Sequence, residues 1–268
     1  MIFRTDLALE RRDIYNQANN LENDLEGIEC NEEKPNEKLS ITRVRIKDEE
    51  GEKALGKPIG KYITLDIKGM KYMEEDELEN VSKSISNELT SILDEHIGKQ
   101  DSVLIVGLGN EYVTPDSLGP KVASNLEVTR HVIKYCPQYV KEGTREISAV
   151  SPGVLGVTGI ETLEIVKGLV ENVKPKLLIA IDSLCSKDMN RISSSVQIAD
   201  TGIVPGGGIG NKREELSQNS LGIPVVAIGV PTVTMFPNDV DFIVTPKEID
   251  GLIENMSEVI SEAINMSL

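Results

Sequence analysis

Apolar positions along this 268-residue chain repeat with two distinct periods, and each predicts a type of element. Unbroken aliphatic runs bounded by Gly or Asp occur at 102–107 and 177–182, with further apolar runs near 147, at 195–199 and at 224–230. Such runs mark strands buried on both faces of a parallel sheet. Ile41–Ile46 and Tyr62–Ile67 instead alternate polar and apolar residues, which predicts two half-exposed strands. The Gly-Glu-Lys and Gly-Lys-Pro-Ile-Gly words between them mark a turn region, so 41–67 reads as a small β-hairpin. Helical spacing governs Leu78, Val81, Ile85, Leu89 and Ile92, a stripe that stops near Gly98. Helices are also expected from about 116 and over 160–172, while 13–40, rich in Asn and Glu, reads as helical or irregular surface. Strand and helix alternate through the rest of the chain, which points to βαβ units and a doubly wound, largely parallel α/β sheet with helices on both faces.

The last helix carries the strongest pattern. Ile249, Leu252, Ile253, Met256, Val259, Ile260, Ala263 and Ile264 form one apolar stripe, read as core in preference to a subunit contact. Thr245, Pro246 and Glu248 supply an expected N-cap, first-turn proline and capping-box carboxylate.

Composition narrows the chemistry. No Gly/Ser or Pro linker divides the chain, so one α/β domain over 1–268 is expected. A formal charge of −16 and the absence of Trp argue against direct nucleic-acid binding. No apolar stretch approaches a membrane span and the first residues lack a signal-peptide core, so a cytoplasmic protein is expected. Cys30, Cys136 and Cys185 have neither metal nor disulfide spacing.

Two aspartates stand where an α/β sheet collects its ligands, just beyond the carboxyl ends of strands. Asp182 ends one apolar run, and Asp116 sits in the loop or first helical turn after another. On position alone, each reads equally well as a cap or loop residue. A nucleophilic Ser or Cys would need a base, and only His96 and His131 exist. His96 lies at the polar end of a helix, whereas His131 is placed to hydrogen-bond near a site. Cys185 reads as a small buried hydrophobe. Gly107-Leu-Gly109 does not complete a dinucleotide fingerprint. Pro205-Gly-Gly-Gly-Ile-Gly210 reads as a surface loop or as a source of backbone N–H groups for a peptide or oxyanion.

Long words in the chain resemble the germination protease family of bacterial endospores. They are GLGNxxVTPDxLGP at Gly107–Pro120, VTRH at Val128–His131, SPGVLGVTGIET at Ser151–Thr162, KPKLLIAIDSL at Lys174–Leu184, DTGIVPGGGIGNKREELS at Asp200–Ser217, LGIPVVAIGVPTV at Leu221–Val233 and VTPKEID at Val244–Asp250. The resemblance implies an atypical aspartic endopeptidase with Asp116 and Asp182 as its catalytic pair; with only two His in the chain and a carboxylate pair sufficient to activate water, no metal and no cofactor are expected. It implies a phosphorylase/hydrolase-like fold similar to the hydrogenase maturation endopeptidases, small acid-soluble spore proteins as substrates in the spore core, and a homo-oligomer, a tetramer in the family. It also implies a zymogen cut after the acid of a Thr-acid-aliphatic-Ala-x-Glu site. Thr5-Asp6-Leu7-Ala8-Leu9-Glu10 has that order, which makes 1–6 a candidate propeptide and Asp6–Leu7 its cleavage point. Between Val233 and Val244 the chain has only ten residues, where better-known members carry a longer insertion. The alternatives are a metal-dependent maturation endopeptidase, which would want more His or carboxylates, and a peptide-binding α/β protein without turnover.

Overall fold

A computed structural model describes residues 5–21, 24–210, 213–236 and 242–268. The aliphatic runs form β4 (Val103–Gly107), β6 (Leu177–Cys185) and β8 (Val225–Phe236), which lie parallel with β5 (Ile147–Val150) in the order β8-β6-β4-β5. From β4 the chain reaches β5 through α4 (Leu118–Ser124) and α5 (Arg130–Tyr135). It returns to β6, on the other side of β4, through α6 (Leu155–Thr158) and α7 (Thr162–Val173). Leaving β4 and β6 in opposite directions opens a crevice at their carboxyl ends, the switch point of a doubly wound sheet.

The other half of the sheet is antiparallel. β1 (Ile28–Glu33), β2 (Leu39–Ile46) and β3 (Gly60–Ile67) pair in sequence, and β7 (Ser195–Ala199) joins β3 to β8. Helices α3 (Glu75–His96), α4 and α9 (Ile249–Ser267) share one core with one sheet face. The other face is covered by α7 and α8 (Gln218–Leu221), and farther along by α1 (Ala8–Asn19) and α2 (Glu49–Leu55). The α/β architecture with helices on both faces is therefore as expected.

Several local expectations change. The expected hairpin 41–67 pairs as predicted but belongs to the main sheet, and its turn region contains α2, whose N-cap Asp48 accepts the Gly51 N–H at 2.9 Å. β2 is half-exposed as expected, with Arg43 and Arg45 toward solvent, but β3 is not: Tyr62, Ile63, Thr64 and Leu65 are all buried, because α3 covers one face and α1 the other. Segment 13–40 contains an edge strand, β1, which shows no apolar alternation because most of one side faces solvent. The expected cap of α9 does not form. Thr245 donates to the Thr232 carbonyl instead, and Glu248 pairs with Lys71. The apolar stripe of α9 does pack as core, with Ile253, Met256, Ile260, Ala263 and Ile264 fully enclosed. β9 (Phe242–Val244) pairs antiparallel with the end of β8.

Candidate active site

Asp182 lies inside β6 and not at its end, three residues before Cys185. Its neighbour β4 stops at Gly107, opposite Ile181, while β8 continues alongside Asp182 through Gly229. The carboxylate therefore stands at the first position where the sheet opens on the β4 side. Asp116 reaches the same opening from the other strand. It closes the 3₁₀ turn Thr114–Asp116, set by Pro115, that precedes α4. Glycines make the approach of these loops possible. A Cβ on Gly119 would lie 2.2 Å from the Leu108 carbonyl oxygen and 2.7 Å from that of Ile181, so only glycine lets α4 sit against both strand ends.

Both carboxylates line one cavity of about 290 Å³, together with Asp6, Ser183, Gly206, Thr232 and Ile243. Asp116 is half-buried, and its Oδ2 accepts the Asn110 N–H at 2.9 Å. Burial raises its pKa and that N–H pulls it back. Asp182 is buried, 4 % exposed. Burial drives its pKa well up, and the charges of Asp116 and Asp6 push the same way, against the N–H groups of Ser183 and Gly206. One oxygen accepts the Ser183 N–H at 2.9 Å; the other, Oδ2, is buried without a hydrogen-bond partner among the described residues. The arrangement favours a neutral Asp182 beside an ionised Asp116, a pair able to donate and accept one proton each.

The N-terminal segment enters the same cavity. The Asp6 N–H donates to the Cys185 carbonyl at 2.9 Å, and its Oδ2 accepts the Cys185 N–H at 2.8 Å. Gly208 lies so close that a Cβ there would fall 1.9 Å from Asp6 Oδ2. Burial raises the Asp6 pKa, countered by Lys57, by the N–H groups of Cys185 and Gly208, and by Arg11. Thr5 donates to the buried Glu10 carboxylate, which also accepts from Ser186 Oγ at 2.6 Å, Lys187 N at 2.8 Å and Asp188 N at 3.1 Å. Leu7 and Ala8 are fully enclosed.

Other candidates separate cleanly. His131 is exposed on α5 and does not line the cavity, so it supplies no hydrogen bond there. His96, read as lying at the polar end of a helix, is half-buried at the end of α3, away from the cavity. Cys185 is buried, as expected of a small hydrophobe. In the Pro205–Gly210 loop, Gly206 lines the cavity with Asp182, and Gly208 lies against the Asp6 carboxylate. Sequence reasoning did not single out Thr232, whose buried Oγ1 lacks a partner among the described residues, or Gln197. A lone Gln in the buried run Ser195–Ala199 was the available signal for the second.

Residues 6–240 match the family model described as Germination protease. The chain belongs to the germination protease family. It is 42% identical over 311 residues to the germination protease of Caldanaerobacter subterraneus subsp. tengcongensis, covering 99% of this chain and 94% of the relative. The Clostridium acetobutylicum germination protease is 40% identical over 314 residues, with 99% and 94% covered. That of Bacillus cytotoxicus is 44% identical over 245 residues, with 90% of this chain and 66% of the relative covered. The first two alignments are longer than this chain, so those relatives carry insertions that it lacks. Among solved structures, a [NiFe] hydrogenase maturation protease from Thermococcus kodakarensis covers 65% of this chain and 98% of its own, at 20% identity and a TM-score of 0.37. The germination protease family is one of peptidases, so this chain is a hydrolase acting on protein. Among the described residues, no helix is long and apolar enough to cross a membrane.

Proposed function

We propose that Asp116 and Asp182 form the catalytic pair of an aspartic-type endopeptidase that cuts small acid-soluble spore proteins in the spore core. The observation that carries this reading is the shared cavity, into which the turn after β4 delivers one half-buried carboxylate and the neighbouring parallel strand β6 one buried carboxylate. Ionised Asp116 takes a proton from water, whose oxygen bonds to the scissile carbonyl carbon. Neutral Asp182 protonates the carbonyl oxygen. The C–N bond then breaks, Asp116 returns its proton to the leaving amine, and Asp182 recovers its own from the new acid.

The reading extends to processing: the chain is a zymogen that cuts itself between Asp6 and Leu7 and releases 1–6. Support comes from the position of Asp6 on the wall of the cavity that holds both catalytic carboxylates. A homo-oligomer is part of the same proposal, carried by family membership.

The test is cleavage of a purified small acid-soluble spore protein. Asp116→Asn and Asp182→Asn are each expected to remain folded and to lose at least about 10²-fold in turnover, the scale of a lost general acid or base. Wild-type turnover in either variant removes that residue from the pair. Exhaustive chelation is expected to leave wild-type turnover unchanged; a loss restored by added zinc would favour metal-assisted hydrolysis instead.

A further inference from the structure

Gln197 is buried, and its side chain spans the peptide bond at which the N-terminal segment is proposed to be cut. Its Nε2 donates to the Asp6 carbonyl oxygen at 3.4 Å, and its Oε1 accepts the Ala8 N–H at 2.8 Å. The Ala8 N–H requires an acceptor, which fixes the orientation of the amide and leaves only its NH₂ to face the Asp6 carbonyl. Gln197 and Asp182 pair with the same residue, Gly229, from opposite sides of β8. Side chains at paired positions share a sheet face, so Gln197 and Asp182 stand on one face two strand spacings apart, about 10 Å between backbones. The Asp6 carbonyl is held between the strands that carry them, by Cys185 of β6 through the Asp6 backbone N–H and by Gln197 of β7.

We propose that Gln197 is a further catalytic residue of this protease: it grips the substrate chain on both sides of the scissile bond and donates to the carbonyl oxygen on which charge develops. The proposal rests on the reading that the bond cut is Asp6–Leu7. As water adds to the Asp6 carbonyl carbon, the C=O double bond becomes a C–O single bond and its oxygen gathers negative charge until Asp182 protonates it. At 3.4 Å the Gln197 hydrogen bond is long for the ground state. A donor whose bond strengthens as that charge builds lowers the barrier more than it raises affinity, so its loss falls on turnover. Meanwhile the Oε1 bond to Ala8 holds the leaving-amine side in register. A purely structural Gln197 would only anchor the N-terminus to β7.

Two substitutions distinguish these roles. Gln197→Glu keeps an acceptor for the Ala8 N–H and, when its carboxyl is ionised, removes the donor to the carbonyl. Gln197→Met has similar length, adds no charge and removes both. The full-length chain is followed by intact mass for release of residues 1–6. In parallel, a synthetic peptide containing Thr-Asp-Leu-Ala-Leu-Glu is assayed for kcat and KM. Thermal melts establish that each variant is folded. Both variants are expected to cut about 10²-fold more slowly in cis, the effect of losing one such donor. With the peptide, kcat should fall far more than KM rises. Folded Gln197→Met cutting at the wild-type rate, or a change confined to KM or to melting temperature, overturns the proposal and leaves Gln197 an anchor. A wild-type protein that cuts the peptide elsewhere, or not at all, overturns the Asp6–Leu7 reading first and this proposal with it.

Discussion

Asp182 couples chemistry to stability, because a carboxyl group whose pKa is raised by folding binds its proton more tightly in the native state. The unfolded chain releases that proton near the ordinary value of 3.8, and the native protein only well above it. Between those two values the native state holds more protons, so stability falls as pH rises through that window. Asn has no proton to lose. Asp182→Asn is therefore expected to melt at a temperature close to wild type below about pH 3.8, and at an increasingly higher one as the pH is brought to neutrality. Melts across a pH series check this, and an offset that does not vary with pH would contradict it. The same ordering predicts that turnover falls on the alkaline side as Asp182 ionises and on the acid side as Asp116 is protonated.

At the scale of elements, the site depends on how tightly α4 seats against the ends of β4 and β6. Gly107 and Gly119 face one another there, and a Cβ on Gly107 would fall 2.1 Å from the Gly119 carbonyl oxygen. Gly119→Ala must push α4 away from backbone that cannot yield, and with it the turn that carries Asp116. Overpacking of this kind is expected to destabilise by about 1–3 kcal/mol, with a larger proportional loss of turnover. Denaturant midpoints and kcat on one sample measure both; unchanged turnover would show that the Asp116 turn does not depend on this contact. By contrast, Ile260→Ala in α9, fully enclosed between α9 and the sheet, is expected to cost about 2–5 kcal/mol while leaving turnover per folded molecule intact.

At the scale of the whole molecule, the N-terminal segment links the antiparallel and parallel halves of the sheet. Its backbone and side chains bind β6 at Cys185 and β7 at Gln197, while Glu10 collects the donors of Ser186–Asp188. Incubation of the purified chain at mildly acidic pH is expected to shorten it by residues 1–6, giving a new N-terminus at Leu7 by intact mass and terminal sequencing. A substrate can take its place at Gln197 only once Ala8 leaves it, so release of residues 1–6 is expected to loosen the new N-terminus from β7 and lower the melting temperature. A sample that cleaves substrate while still beginning at Met1 would show that processing is not required.

Periodicity alone determined most of the element types. The aliphatic runs of β4, β6 and β8 and the stripes of α3 and α9 are legible because burial on two faces or on one helical stripe constrains residue type at every turn of the pattern. The two aspartates were legible as carboxylates of one crevice and the family words singled them out, but that Asp182 lies within β6 and not at its end was not. Edge strand β1 was not legible, since a strand open to solvent along one side need not alternate. Nor was the burial of β3 on both faces, because that depends on α1 docking from the distant N-terminus. The cap of α9 looked complete in sequence, yet Thr245 turned to the Thr232 carbonyl, a partner that only the fold brings near. The same reason explains why Gln197 passed unnoticed. Its role comes from register, since β7 lies antiparallel to β8 and places it opposite the Gly229 that Asp182 also faces. Residue type and local period are properties of neighbours along the chain. Which carboxylate is buried, which is exposed, and what lies across from it are properties of neighbours in space, decided only once the strands have chosen their partners.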